Sequence, residues 1–195
     1  MAKQTNLQDK IYQILISLKD SKPKIWRRVL IPADSMLEEL HAIIQIVMGW
    51  DDSHLHQFIK NKTYYTVKLF EDDYWNEANT IDYIEEEVGV SSLLKAKKDK
   101  MMYEYDFGDE WQHEILLEEI LPVDDAITYP ICIDGKRRCP PEDCGGIWGY
   151  ANLLTILSQP DHEQYEDMLE WVGEDFDPEY FDKTEVNEAL QSEWD

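Results

Sequence analysis

The sequence predicts an α+β protein: a mostly antiparallel sheet, one amphipathic helix packed on it, and helices toward the C-terminal end. Three observations lead there. Apolar runs of strand length, several of them alternating with polar residues, occupy 11–18, 25–31, 101–107 and 111–119. Between 37 and 48 the apolar residues recur instead at the spacing of a helix face. Beyond Pro122 the strand pattern gives way to helical ones.

The elements follow in order. IYQILISL (11–18) and IWRRVLI (25–31) read as strands, joined by the turn-rich KDSKPK into a hairpin. Ser35 and Glu38 have the spacing of a capping box, in which each side chain satisfies the other residue's backbone N–H. Leu37, Leu40, Ile44 and Val47 then form the helix stripe, widened by Ile43 and Met48, and Gly49 supplies the left-handed residue that ends it. HLHQFIK (54–60) and TYYTVKL (63–69) flank Asn61-Lys62 as a second hairpin. Residues 71–87, acidic and aromatic without a period, are expected to be an irregular insertion, and 90–98 a short helix. A third hairpin turns at Gly108-Asp109-Glu110, with Tyr103, Tyr105 and Phe107 on one face of its first strand and Trp111, His113, Ile115 and Leu117 on one face of its second. Residues 129–146, rich in Pro, Gly and Cys, read as a loop. Helices are expected at 150–157, at 161–172 with an Asp161/Gln164 capping box, and at 184–194. The order β-β-α-β-β is also how β-grasp folds begin, an analogy that carries no function. These elements suit one domain over 8–190, with 150–194 as a helical C-terminal subdomain.

The chain has 18 Lys+Arg against 42 Asp+Glu, a net charge of −24. Such a surface repels phosphate backbones, so direct nucleic-acid binding is not expected; a protein partner with a basic surface, a bound cation or simple solubility suits it better, and a well-solvated surface is the ordinary meaning of such charge. No apolar run approaches the ~20 residues a bilayer requires, and the first residues lack the apolar segment of a signal peptide, so no membrane association is expected and the location read is cytoplasmic. Three cysteines in that setting are reduced thiols or metal ligands rather than a disulfide frame.

Two constellations could carry chemistry. Cys132, Cys139 and Cys144, spaced C-x6-C-x4-C, could hold zinc with a fourth ligand brought by folding, although the tight C-x2–4-C pair of most zinc loops is missing. The bland reading is three packed thiols. His54 and His56, two apart on one strand, share a face, with Asp51 and Asp52 just before them. His113 lies on another strand, with Asp106 and Asp109 about its turn. Such a set could bind a divalent cation and activate water, or serve as acid and base. The structural alternative makes His113 a hydrogen-bonded core histidine and Asp109 a turn residue. Arg27 and Arg28 point to opposite faces, and they and the 136–138 cations are expected to pair with carboxylates. Phosphate-loop, dinucleotide, H-E-x-x-H and nucleophile-elbow motifs are absent from the sequence.

Four blocks together, 22–58, 103–115, 132–146 and 165–182, resemble the plasmid pRiA4b Orf-three-like family. They contain Trp-Arg-Arg, Gly-Trp-x-x-Ser-His-Leu-His, Tyr-Asp-Phe-Gly-Asp-x-Trp-x-His and Cys-Pro-Pro-Glu-Asp-Cys-Gly-Gly in that order. The resemblance implies a domain running from about Ile11 to about Ala189 and a setting on plasmids, near insertion elements and in chromosomes; it implies no catalytic residues. Tryptophans inside these blocks are expected in or near the core, whereas Trp75 and Trp194 would mark a contact surface if exposed. The function expected first is a non-enzymatic interaction or accessory module. Its rival is a metal-dependent enzyme using the histidine–aspartate set or the cysteine loop. A third reading is an acidic DNA mimic or regulator linked to mobile elements.

Overall fold

The computed structural model describes residues 6–68 and 79–194. Its centre is a sheet of eight strands among the described residues: β1 (Lys10–Leu18), β2 (Trp26–Pro32), β3 (His56–Lys60), β4 (Thr63–Thr66), β5 (Thr80–Asp82), β6 (Lys100–Tyr105), β7 (Trp111–Pro122) and β8 (Ile131–Lys136). The strand order is β5-β4-β3-β6-β7-β1-β2-β8, antiparallel throughout except for the edge pair β4–β5. The helices are α1 (Leu37–Met48), the single turn α2 (Val90–Leu93), α3 (Gly146–Leu157), α4 (Tyr165–Val172) and α5 (Lys183–Trp194). Among the described residues no helix is long and apolar enough to cross a membrane.

The two faces of the sheet differ as the alternation requires. One is polar, carrying Arg28 paired with Glu118 and Asp134, Gln13 on Glu118, and Lys100 on Glu114. The other buries Ile14, Ile16, Val29, Ile31, Phe58, Tyr103, Tyr105, Trp111, Ile115 and Leu117 against α1, whose Leu37, Leu40, Ile43, Ile44 and Val47 are all at most 1% exposed. Each such side chain contributes about 1.5–3 kcal/mol by leaving water, so this contact dominates the fold. The β3–β4 hairpin turns at Asn61 and Lys62, both with positive φ, as a two-residue primed turn demands.

Several expectations are corrected. The α1 cap lies one residue later than the Ser35/Glu38 box: Met36 is the N-cap, and its N–H donates to Glu39 at 2.8 Å. Residues 129–146 are not all loop, because 131–136 pair with β2 as an edge strand. The acidic insertion holds β5 in its described part; residues 69–78, with Trp75, lie outside the described residues. The helix at 90–98 ends at Leu93, and α4 starts at Tyr165 with no side-chain cap, so the Asp161/Gln164 box is not formed.

Arg27, 3% exposed, explains how β8 and the loop after it are fixed. Among the described residues its guanidinium meets no carboxylate. It donates to the carbonyls of Val47, Trp26, Lys136 and Arg137 and lies 4.4 Å from the centre of the Phe181 ring. Gly135 leaves room for that stack, since a Cβ there would lie 2.5 Å from Phe181. On the outer edge of β8, Asn187 of α5 accepts the Cys132 N–H at 2.7 Å and donates to the Cys132 carbonyl at 2.9 Å.

Candidate metal centre

Three loops meet at one end of the sheet: 49–55 after α1, 106–110 between β6 and β7, and 137–145 between β8 and α3. Gly49, at φ 85°, ends α1 and turns the chain so that Trp50 is buried under the third loop, its indole N–H donating to the Pro140 carbonyl at 3.1 Å. Asp109 accepts the Gly145 N–H at 3.0 Å, tying the second loop to the third. Gly146 is required there: its φ is 67°, and a Cβ would lie 2.5 Å from the Asp109 carbonyl oxygen.

These ties gather one imidazole and three carboxylates. His54 Nε2 lies 3.3 Å from Asp143 Oδ1, 3.8 Å from Asp106 Oδ2 and 3.8 Å from Glu142 Oε2. None of these contacts is a hydrogen bond; His54 Nε2 and Glu142 Oε2 are both buried without a hydrogen-bond partner. Donors at about 2.1 Å from one ion, subtending 90–110°, stand about 3.0–3.4 Å apart; the His54–Asp143 pair has that spacing, the donor atoms of His54, Asp106 and Asp143 all lie within 4.8 Å of one another, and Glu142 stands outside that set, reaching His54 at 3.8 Å. The remaining carboxylate atoms are held in place. Glu142 Oε1 accepts from the Tyr105 hydroxyl at 3.0 Å and the Asp51 N–H at 3.1 Å, which leaves Oε2 free. Asp106 Oδ1 accepts the Gly108 N–H at 2.8 Å. Burial, with Glu142 beside it, pushes Tyr105 up to about 12, so it remains a donor at neutral pH. Asp106 and Asp143 both hold left-handed backbone, at φ 57° and 55°, the kind of local strain that gathers at functional sites.

A second polar group lies beneath α1. His41 Nδ1 is 2.8 Å from the Tyr103 hydroxyl and its Nε2 2.9 Å from Asp52 Oδ1; Gln45 donates to the same hydroxyl at 2.9 Å. The His56 ring stacks on His41, with centroids 3.5 Å apart and planes 8° from parallel, and its Nε2 is 2.7 Å from the Tyr83 hydroxyl. Burial, then the neighbouring His41, pushes His56 down to about 3. Donor atoms of His41, Asp52 and His56 also come within 4.8 Å of one another. Ring lone pairs lie in the ring plane, however, and two parallel planes cannot both direct a lone pair at one ion. This group is therefore a hydrogen-bonded relay rather than a chelate.

The structure thus divides the histidines that the sequence places together. His54 precedes β3 instead of lying on it, so it does not share a strand face with His56; the two belong to different groups. His113 belongs to neither. It is fully buried between Trp50 and Tyr103, as a core histidine should be, but among the described residues neither ring nitrogen has a partner at hydrogen-bond geometry; burial pushes it down to about 4, opposed only in part by the nearby Tyr103 and Trp111 backbone. Asp109 is a loop tie. No cysteine enters either donor group. Cys132 and Cys139 are buried, and burial raises all three thiols, Cys132 to about 11 and Cys144 to about 12. Arg28 and Arg137 pair with carboxylates as expected, Arg27 does not. Trp171, expected near the core, is 48% exposed, whereas Trp194 packs partly buried against the core. Sequence reasoning missed Glu142, Asp143 and His41; the signal for His41 was a polar residue inside an apolar helix stripe.

The family described as plasmid pRiA4b ORF-3-like protein matches residues 10–185. The uncharacterized protein y4hQ of Sinorhizobium fredii is 32% identical over 185 residues, covering 92% of this chain and 90% of that one. A crystal structure of the protein of unknown function MM3350 from Methanosarcina mazei Go1 superposes with a TM-score of 0.79 at 39% identity, covering 91% of this chain and 97% of that one. The chain belongs to the plasmid pRiA4b ORF-3-like family, and neither relative's name assigns an activity.

Proposed function

We propose that this member of the plasmid pRiA4b ORF-3-like family is a metal-dependent enzyme whose divalent cation is held by His54, Asp106, Glu142 and Asp143. One observation carries the reading: two buried donor atoms, His54 Nε2 and Glu142 Oε2, lie 3.8 Å apart, neither with a hydrogen-bond partner. A buried polar atom left unpaired costs about 1–3 kcal/mol, and a shared cation removes both costs. Three motif-bearing segments supply the set: His54 from the Ser-His-Leu-His block, Asp106 from Tyr-Asp-Phe-Gly-Asp, and Glu142 and Asp143 from Cys-Pro-Pro-Glu-Asp-Cys. One nitrogen with three carboxylates suits Mn2+, Fe2+ or Zn2+. A cation there would supply Lewis acidity and an activated water, which fits hydrolysis. Tyr105 orients Glu142, and Asp52, with Oδ1 held by His41, presents an exposed carboxylate two residues before His54 as a proton acceptor.

The test loads metal-stripped protein with Mn2+ or Zn2+, followed by plasma mass spectrometry and a panel of chromogenic esters and phosphoesters. One equivalent of metal, lost in His54→Gln and Glu142→Gln but kept in Cys139→Ser/Cys144→Ser, with turnover that needs the metal, is the expected result. Metal lost only in the cysteine variant would move the centre to the thiol loop; no binding by any form would overturn the reading. The interaction module has one observation in its favour, the 85% exposure of Trp148 on α3, and a basic protein partner is what the charge of the chain suits.

A further inference from the structure

Beside the metal donors, α3, α4 and the 137–145 loop line an open cleft of about 340 Å3. One wall is Asp143, the carboxylate that also reaches His54 at 3.3 Å, so whatever occupies the cleft lies against a residue of the metal centre. The rest of the lining is Cys144, Gly149, Asn152 and Leu153 with the Met168 thioether and the half-exposed Trp171 indole. Among the described residues no lysine or arginine lines it.

Resting on the metal-centre reading, we propose that this cleft takes the cationic group of the substrate, an alkylguanidinium or alkylammonium. The lining has the parts such a group needs: an aromatic ring in Trp171, a carboxylate in Asp143 and an amide in Asn152 that can accept a hydrogen bond. The electrostatics agree. Three carboxylates, Asp106, Glu142 and Asp143, contribute −3 against +2 from a divalent ion, leaving the loaded centre about one charge negative. Asp109, tied to the same loop, and the net charge of −24 add to the field. A cation is drawn in and a phosphate repelled. The size of the cleft admits one side-chain-sized group rather than a whole folded partner.

The test uses Mn2+-loaded full-length protein and three probes: agmatine as a free cation, a blocked Ala-Arg-Ala peptide as a chain-borne one, and the same peptide with citrulline as the neutral isostere. Binding is followed by ligand-observed NMR. The expected result is that at least one cationic probe binds tenfold or more tightly than the citrulline peptide, and whichever binds tighter names the source. Trp171→Leu and, independently, Met168→Lys weaken it at least tenfold while binding Mn2+ as the wild type does. Equal affinity for charged and neutral peptides, no binding of any probe, or variants that bind the cation unchanged would overturn the proposal. Cation binding by a protein that takes up no Mn2+ would sink the metal reading and leave the cleft standing.

Discussion

His54 Nε2 and Glu142 Oε2 stand 3.8 Å apart, both buried and both without a hydrogen bond, whereas the other Glu142 oxygen accepts two. The carboxylate is thus aimed by its saturated oxygen. Tyr105→Phe removes one of the two donors that aim it and should weaken metal affinity about 10–100-fold without abolishing it. Isothermal titration with Mn2+ measures this; affinity unchanged in the variant would mean that Glu142 is not a ligand.

The relay under α1 should behave differently. His41→Leu leaves Asp52 without its imidazole partner and the buried Tyr103 hydroxyl with Gln45 alone. Urea unfolding should show a loss of about 1–3 kcal/mol, with one equivalent of metal still bound. Metal lost from this variant would contradict the separation of the two donor groups.

His113 gives a pH signature. Its ordinary value near 6.5 falls to about 4 in the fully buried site. Below pH 6.5 the unfolded chain takes up a proton that the folded one refuses until about pH 4. Stability is therefore lost as pH falls through that window, by an amount on the order of 3 kcal/mol at its end. His113→Leu should flatten the slope of unfolding free energy against pH between 6.5 and 4.5. An unchanged slope would mean that the histidine takes its proton inside the core.

Gly146→Ala meets both a positive φ, which costs about 1–2 kcal/mol, and the Asp109 carbonyl. Since that contact pins the Glu142–Asp143 loop, the variant should melt lower and bind Mn2+ more weakly. Asp109→Asn tests the loop tie alone: a smaller loss of both is expected, and wild-type metal binding with the same melting temperature would show the tie to be idle.

Much of the fold was legible because periodicity reports burial directly. The α1 stripe and the alternation of β1, β6 and β7 read true because one face of each is in the core. β8 was not legible: Cys132, Gly135 and the following prolines read as loop, and only the pairing with β2 and the Asn187 amide makes 131–136 a strand. The site was half legible. His54 and Asp106 stood out as residue types, but no local rule joins a loop after a helix to a loop before another. The distance between His54 and Asp143 is set by Trp50 on Pro140 and Asp109 on Gly145, contacts that span up to 90 residues of sequence. His54 and His56 were paired wrongly because the strand begins only at 56.

The Asn187 amide on Cys132 has a consequence beyond packing. An edge strand offers its outward N–H and C=O groups to any extended chain, and at Cys132 both are already taken by a side chain that imitates the next strand. At this position β8 has no backbone group left over for another strand, so Asn187 closes that point of the sheet edge, and removing α5 would reopen it to β-pairing with a second chain.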